Sequence, residues 1–324
     1  ALAVDAGARG CRLTSVWAVP DGGAWLSHLP GAPAFVNAEF GALFPGDIPA
    51  GELLLISCEA PGGVTLSESS VFQGGALEVR VAGARSGSAT FLGRAFVLTV
   101  EGGDLVGYVA AGTGAPIGAA PLVVTLTDAQ GVQRQTTRAV SVRPTQWTVD
   151  YIVIPPPPPP DPDAPPPPPD EQPRLDAIYA GAPTPRLWQA GWAPPLGGAL
   201  AVSGYFGGQR SFNGGPVQGH HGGTDFAVNA GVPILATNAG TVVMSELTKN
   251  RGSLVVIDHG SGVYSSYGHM SSIAVPLGAR VAKGDVIGYV GSTGLSTGPH
   301  LHWELAVGGV LVDGLRWLDG SQGF

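Results

Sequence analysis

The sequence is poor in charged residues, in cysteine and in long apolar runs. Charged residues make up 12 % of the 324 residues, about half of the usual share, which excludes a highly charged coiled coil and a solvated disordered chain. No uninterrupted apolar run approaches the roughly 18–20 residues that a transmembrane helix needs. The 16 Lys and Arg form no cluster, so neither a nucleic-acid-binding surface nor a polybasic membrane anchor is expected.

Two cysteines, Cys11 and Cys58, lie near the beginning of the sequence. An even number of cysteines in an exported chain favours one disulfide between them, and two buried thiols are the alternative. Residues 1–3 (Ala-Leu-Ala) resemble the end of a secretory signal, although an arbitrary start at this point would look the same. We therefore expect an exported protein.

Glycine and proline, in contrast, are abundant. The 51 Gly and 30 Pro indicate many turns and short strands, so an all-β fold with few helices is expected. Thirteen of the prolines lie in residues 155–173. Proline fixes φ and lacks the N–H donor, so this segment is predicted to be an extended polyproline linker about 60 Å long. A stiff spacer or a disordered tether of this length would hold two independently folded parts apart.

Upstream of the linker, four segments alternate between apolar and polar residues: 76–81, 95–100, 122–127 and 147–153. Short strands at this spacing predict a β-sandwich of immunoglobulin-like size over residues 66–154. Residues 1–65 are predicted to be rich in strands and loops.

Downstream of the linker, residues 174–324 are predicted to form a further domain. The best helix candidate in the chain is 170–180, because Leu175, Ile178 and Tyr179 could form one apolar face. The remaining pattern consists of short strands between glycines: 234–236, 240–243, 254–257, 263–267, 286–290 and 300–305.

Five of the seven histidines lie in this downstream part, at positions 220, 221, 269, 300 and 302. His300 and His302 are two residues apart on a predicted strand and so share one face. His221 and Asp225 project together from a glycine-rich extended segment. A His, an Asp and a second His would give three ligands, the number typical of catalytic zinc. The spacing leaves open which of His300 and His302 binds the metal; the other, with His269, would transfer protons.

These motifs belong to a longer pattern. It comprises His221-Gly222-Gly223-Thr224-Asp225, Tyr267-Gly268-His269-Met270, and Ser296-Thr297-Gly298-Pro299-His300-Leu301-His302. Over about residues 196–318 this pattern resembles the lysostaphin/LytM-type zinc endopeptidases that cut peptidoglycan. The resemblance implies a small antiparallel β-sheet or barrel-like domain of the duplicated hybrid motif type. The upstream sandwich resembles the all-β domain that precedes this catalytic domain in some envelope members.

The resemblance also implies roles for individual residues. One Zn²⁺ per chain would be bound by His221, Asp225 and His302. A zinc-bound water would be the nucleophile, with His269 and His300 as acid/base and oxyanion stabiliser in an order that stays open. Five further residues are candidates to line the groove or support the ligands: Tyr205, Phe206, Tyr264, Trp303 and Glu304. For the four aromatic residues the alternative is a place in the hydrophobic core.

The expected function is hydrolysis of peptide bonds in the stem or cross-bridge of peptidoglycan, by a bacterial protein that is secreted or lies in the cell envelope, periplasmic or extracellular. Expected partners are the peptidoglycan peptide and, through the N-terminal domains, other envelope proteins. The main alternative is a catalytically silent adaptor or amidase activator that binds peptidoglycan. A lipoyl or biotinyl domain is disfavoured, because Lys249 and Lys283 lack a carrier setting. A phosphocarrier domain is disfavoured because it uses two His without a metal-binding Asp and works in the cytosol, which fits the proline spacer poorly. A surface protein whose N-terminal half does the targeting stays open.

Overall fold

The computed structural model describes residues 12–19, 26–28, 53–59, 63–127, 133–153, 168–182, 184–189 and 191–321. Within these residues the chain forms 25 strands and two short helices, which confirms the all-β prediction. No helix in this part of the chain is long and apolar enough to cross a membrane. Cys11, the side chain of Cys58 and residues 154–167 lie outside the described residues, so the disulfide and the conformation of the linker stay predictions.

The described residues of the N-terminal region form three sheets. In the first, β1 (Arg12–Val19) pairs antiparallel with β2 (Leu26–His28) and β3 (Leu53–Glu59). The other two sheets are built from β4 (Val64–Leu66), β5 (Ser70–Phe72), β6 (Gly75–Val81), β7 (Gly87–Phe91), β8 (Arg94–Val97), β9 (Thr99–Glu101), β10 (Asp104–Ala111), β11 (Gly118–Thr127) and β12 (Gln133–Arg143). Their strand orders are β4-β6-β10-β9 and β5-β12-β11-β7-β8.

Alternating side chains of these two sheets build one apolar core. Leu77 and Val79 of β6 are buried on the same face, and so are Leu122 and Val124 of β11. Residues two apart on a strand point the same way, so each sheet turns one apolar face inward, as the alternating pattern predicts.

The C-terminal part is organised around one ten-stranded sheet. Its strands are β14 (Val202–Gly204), β17 (Thr224–Ala227), β18 (Pro233–Leu235), β19 (Gly240–Leu247), β20 (Ser253–Gly260), β21 (Val263–Ile273), β22 (Arg280–Val281), β23 (Val286–Val290), β24 (His300–Val307) and β25 (Val310–Val312). The main order is β14-β17-β24-β21-β20-β19-β22, with β18 on β23, β23 on β21, and β25 on β24. Strand β24 thus lies between β17 and β21.

A further small sheet of three strands joins the two parts. It consists of β13 (Val149–Ile152), β15 (Gln209–Phe212) and β16 (Gln218–His220). The segment 147–153 is predicted to belong to the sandwich, but β13 pairs in parallel with β15 instead. Since β13 bonds a strand that is more than fifty positions away in sequence, local alternation could not reveal this partner.

The sandwich and the C-terminal sheet pack against each other, contrary to the prediction that the linker holds two parts apart. The ring of Tyr108 on β10 lies 5.4 Å from that of Trp188 and 6.2 Å from that of Trp317. Trp192 completes this aromatic cluster, 5.6 Å from Trp188 and 5.2 Å from Trp317. Aromatic rings that are buried together favour a fixed arrangement of the two parts.

The predicted helix is present as α1 (Gln172–Tyr179), and a second helix, α2 (Leu315–Leu318), follows β25. Leu175 is buried among Met244, Leu254 and Val256, while Ile178 and Tyr179 pack at the edge of the same cluster. The segment that follows the linker is therefore attached to the C-terminal sheet.

Candidate active site

Strand β24 presents two histidines to one side of the sheet. His300 and His302 face a cleft, whereas Leu301 and Trp303 are 0 % and 1 % exposed behind them. Asp225 of β17 is directly opposite His302 in the antiparallel ladder, and its Oδ1 lies 2.7 Å from His302 Nδ1. The prediction that His300 and His302 share one face is confirmed.

His221 reaches the same point from the chain just before β17. Its Nε2 lies 3.1 Å from Asp225 Oδ1 and 3.1 Å from His302 Nδ1. Gly223 permits this approach, because a Cβ there would be 2.4 Å from the carbonyl oxygen of Trp303 and 3.0 Å from His302 Cε1. The glycine of the H-x-G-x-D motif therefore lets this segment lie close against β24.

His269 enters the cleft from β21, the other neighbour of β24. Gly268 is opposite His302 in the ladder, and at Met270 strand β21 passes on to pair with β23. At this junction His269 has a φ of 60°, in the left-handed region that non-glycine residues rarely adopt. The ring of His269 lies 4.6 Å from that of His300, so the unusual backbone brings the two imidazoles together.

Hydrogen bonds on the outer side of each ring set its tautomer. In three rings Nδ1 lies near a backbone carbonyl oxygen: His221 at 3.0 Å from Tyr205, His269 at 2.7 Å from Thr293, and His300 at 2.8 Å from Gly298. A carbonyl oxygen only accepts, so in each neutral ring Nδ1 carries the hydrogen and Nε2 presents a lone pair. His302 is reversed: its Nε2 lies 2.9 Å from Glu304 Oε1 and donates to it, so Nδ1 presents a lone pair to the site when the ring is neutral and donates to Asp225 Oδ1 when the ring is protonated.

The electrostatics keep Asp225 ionised. Burial raises the pKa of Asp225, but the imidazoles of His221 and His302, which donate to its ionised carboxylate when they are protonated, outweigh burial and hold that pKa well below its usual range. Burial lowers the pKa of His302, but hydrogen bonds to Asp225 and Glu304 and their charges raise it above its ordinary value. Burial, followed by the nearby His302, lowers the pKa of His269 to about 4, so its ring is neutral at pH 7.

Three donor atoms from His221, Asp225 and His302 lie within 4.8 Å of one another and could hold a metal ion. Two imidazole nitrogens and a carboxylate oxygen suit a divalent transition metal, zinc among them. Each imidazole is oriented from outside, His221 by the Tyr205 carbonyl and His302 by Glu304, as is usual for metal-binding histidines. The residues present therefore fit the metal that the sequence implies.

The four histidines of the site (His221, His269, His300 and His302) and Asp225 line a cleft of about 340 Å³. Ile152 of β13 and Phe212 of β15 contribute to its wall, and so do Leu295 and Thr297 from the loop before β24. The strand that leads from the sandwich into the linker thus borders the candidate active site.

The aromatic residues considered for the groove divide into two groups. Three of them are buried, Phe206 at 5 %, Tyr264 at 6 % and Trp303 at 1 % exposure. These three side chains therefore belong to the hydrophobic core and do not line the groove. Tyr205 is 56 % exposed and contributes its backbone carbonyl to the site. Glu304 is 2 % exposed and accepts a hydrogen bond from a site histidine.

An outer set of charged residues was not predicted. Arg251 Nε and Nη2 lie 2.9 and 2.8 Å from Glu304 Oε1, and Arg251 Nη1 lies 3.1 Å from Glu171 Oε1. Arg210 Nη2 donates to Asp225 Oδ2 over 3.0 Å. Arg251 is 53 residues from Glu304 and 80 from Glu171 in sequence, so no local motif marks these contacts.

The fold and the donor set define a class: an antiparallel β domain with a candidate site for one metal ion and two further histidines beside it. Residues 219–314 match the model of Peptidase family M23. This part of the chain, from β16 to the start of α2, is a peptidase M23 domain, and the resemblance to lysostaphin/LytM-type peptidases is confirmed.

Two curated relatives match the same part of the chain. The peptidoglycan DD-endopeptidase ShyA of Vibrio cholerae serotype O1 is 44 % identical over 96 residues, which cover 30 % of this chain and 22 % of the relative. The DD-carboxypeptidase/endopeptidase Mpg of Neisseria meningitidis serogroup B is 42 % identical over 93 residues, covering 29 % and 21 %. The chain thus spans about a fifth of the length of these relatives.

One solved structure extends the likeness beyond the M23 domain. It is described as a candidate M23 peptidase from Pseudomonas aeruginosa, and it is 25 % identical with a TM-score of 0.51. The match covers 76 % of this chain and 94 % of that chain, so the similarity in fold reaches into the N-terminal sheets.

Proposed function

We propose that this chain is a zinc-dependent endopeptidase that hydrolyses peptide bonds in the stem or cross-bridge of peptidoglycan. The proposal is carried by one observation: three donor atoms that suit a metal meet two further imidazoles, His269 and His300, in a single cleft. The names of the relatives, a peptidoglycan DD-endopeptidase and a DD-carboxypeptidase/endopeptidase, support the same reaction.

The chain's own residues supply the proton transfers. A zinc ion held by His221, Asp225 and His302 would polarise the scissile carbonyl and lower the pKa of water at the site. His269 and His300 present Nε2 lone pairs, so either ring can accept the proton of the attacking water. That ring, now protonated at Nε2, donates the proton to the leaving amine, while a zinc ion in the site would stabilise the negative charge that develops on the carbonyl oxygen, since the other ring presents only a lone pair when neutral. Both rings are neutral again at the end.

The cleft suits an extended peptide with small side chains. Residues 291–299 of its loop include three glycines, and Leu295 is their one large apolar side chain. Such a wall leaves the backbone of a bound peptide accessible to the two histidines. Peptidoglycan stems and cross-bridges are peptides of this kind, and this supports the choice of substrate.

The test combines zinc analysis with digestion of purified peptidoglycan. Wild type, His302→Ala and the control His28→Ala, which changes a histidine outside the M23 domain, are analysed for zinc, and released fragments are mapped by mass spectrometry. We expect about one zinc per chain and cleavage in wild type and control, and loss of both in His302→Ala. A chain without zinc would refute the proposal. Zinc without cleavage of several wall types would favour the silent adaptor instead.

We further propose that the protein acts in the bacterial cell envelope or outside the cell, because peptidoglycan lies there. The N-terminal sheets contact the M23 domain, and we assign to them the positioning of the enzyme in the envelope and contacts to other envelope proteins. Cell fractionation with an antibody against the chain tests this; recovery in the cytoplasmic fraction would contradict it.

A further inference from the structure

Glu171 is a buried carboxylate that no motif accounts for. It is 0 % exposed and precedes α1, outside the residues 219–314 that match the M23 family. Its Oε1 accepts hydrogen bonds from the backbone N–H and from Nη1 of Arg251, both over 3.1 Å, and its Oε2 accepts from the backbone N–H of Asn250 over 3.2 Å. A carboxylate that is withdrawn from water and bonded three times is a fixed point of the structure.

Arg251 connects this fixed point to the metal site. Its side chain is 18 % exposed, and its Nε and Nη2 bind Glu304 Oε1, the oxygen that also accepts from His302 Nε2. A guanidinium is planar and rigid, so it can hold two carboxylates at a set distance and angle. Four side chains thus form one continuous path, from Glu171 through Arg251 and Glu304 to His302.

We propose that Glu171 is a positioning residue of the metal site, acting through Arg251 and Glu304 on the ring of His302. The inference rests on the proposed function only in that His302 binds the metal. Without Glu171, Arg251 has one carboxylate partner instead of two and is free to turn. Glu304 then loses its fixed place beside His302 Nε2, and the metal-facing Nδ1 is held less firmly.

The functional unit begins before the peptidase domain that the sequence predicts. The predicted boundary of the peptidase domain at residue 174 would separate Glu171 from the site that it supports. In the structure, the residues directly after the proline-rich segment fold onto the M23 domain, with Leu175 in its core and Glu171 bonded to Arg251. The affinity for the metal therefore depends on a residue that lies well before the family match.

The experiment measures zinc affinity of the full chain by competition with a chelator. The test variant is Glu171→Gln, whose amide keeps the size but has one acceptor oxygen in place of two. The matched control is Asp176→Asn, which removes a carboxylate on α1 that accepts a hydrogen bond from Gln172 and, among the residues that the structure describes, from no other side chain. We expect Glu171→Gln to weaken zinc binding about tenfold, which is the smallest effect typical of mutations in the partners of metal-binding histidines. The control should bind zinc as tightly as wild type does.

Two further measurements keep the proposal falsifiable. Thermal unfolding without zinc shows whether Glu171→Gln folds; if it does not, Arg251→Lys replaces it, because an ammonium cannot hold both carboxylates in the same geometry. In a double-mutant cycle, Glu304→Gln already interrupts the path, so adding Glu171→Gln should weaken zinc binding no further.

Each outcome decides a different question. Zinc affinity equal to wild type in the folded test variant overturns the proposal for Glu171, and so does a fully additive loss in the double variant. If wild type binds no zinc at all, the proposed function fails rather than this inference about its support.

Discussion

Acid should destabilise this protein through His259, a buried histidine that takes no part in the cleft. Its ring is 0 % exposed, with Nδ1 2.7 Å from the carbonyl oxygen of Ala239 and Nε2 2.7 Å from Ser265 Oγ. The ring of Trp192 lies nearly perpendicular to it on one side, 4.8 Å between ring centroids. Burial lowers the pKa of His259 from 6.5 to about 4, although the bond to Ala239 acts in the opposite direction.

The sign of the pH dependence follows from this lowered pKa. In the unfolded chain the ring takes up a proton near pH 6.5, but in the folded protein only near pH 4. The contribution to stability is therefore fully present above pH 6.5 and is lost as the pH falls toward 4. At about 1.4 kcal/mol per pKa unit, the total loss is about 3 kcal/mol, of which about 2 kcal/mol is lost by about pH 5.

The assay is urea unfolding followed by tryptophan fluorescence, at about pH 7.5 and about pH 5. The protein is compared with His259→Asn, which keeps an N–H for the Ala239 carbonyl but cannot take up a proton. Both carry His302→Ala, so that competition between protons and zinc does not contribute. We expect the free energy of unfolding to fall by about 2 kcal/mol more in the protein with His259. Equal pH dependence in both would refute the reasoning.

Three further predictions concern the two histidines beside the metal site, the metal itself and the packing of a glycine against Trp147. His269→Gln and His300→Gln should each lower kcat on peptidoglycan about 10²–10⁴-fold while the zinc content stays unchanged; loss of zinc would instead make that residue a ligand. A zinc chelator should abolish digestion and added zinc restore it, and activity that survives complete metal removal would contradict the proposed function. Gly207→Ala should destabilise the fold by about 2–4 kcal/mol in urea unfolding, because its Cβ would lie 2.0 Å from the ring of Trp147 at a φ of 77°. Gly214→Ala, at a φ of 74° with nothing within 4 Å, is the control and should lose only about 1 kcal/mol; equal losses would mean that the contact with Trp147 does not matter.

Part of the candidate site could be predicted from local geometry. The alternation of side chains along a strand places His300 and His302 on one face whatever the strand pairs with. The helix α1 (Gln172–Tyr179) followed in the same way from the spacing of its apolar residues, and the structure buries Leu175.

The choice of ligand could not be made from spacing, because His300 and His302 face the same side. It depends on which ring stands opposite Asp225 in the ladder between β17 and β24. That ring is His302, whose Nδ1 lies 2.7 Å from Asp225 Oδ1, whereas His300 Nε2 lies 3.8 Å away. The resemblance to known peptidases implied the same ligand, and its assignment stays a prediction until zinc is measured.

The sequence by itself determined the β class of the protein, the helix after the proline-rich segment and the clustering of chemically active residues in the C-terminal part. These follow from backbone limits of glycine and proline and from periodicity over a few residues. Only the tertiary structure decided that the sandwich packs on the M23 domain, that β13 borders the cleft, and that Glu171 and Arg251 support the site. Such contacts join residues 80 positions apart at Glu171 and Arg251 and more than 200 apart at Tyr108 and Trp317, and they depend on strand register and packing, which no local preference encodes.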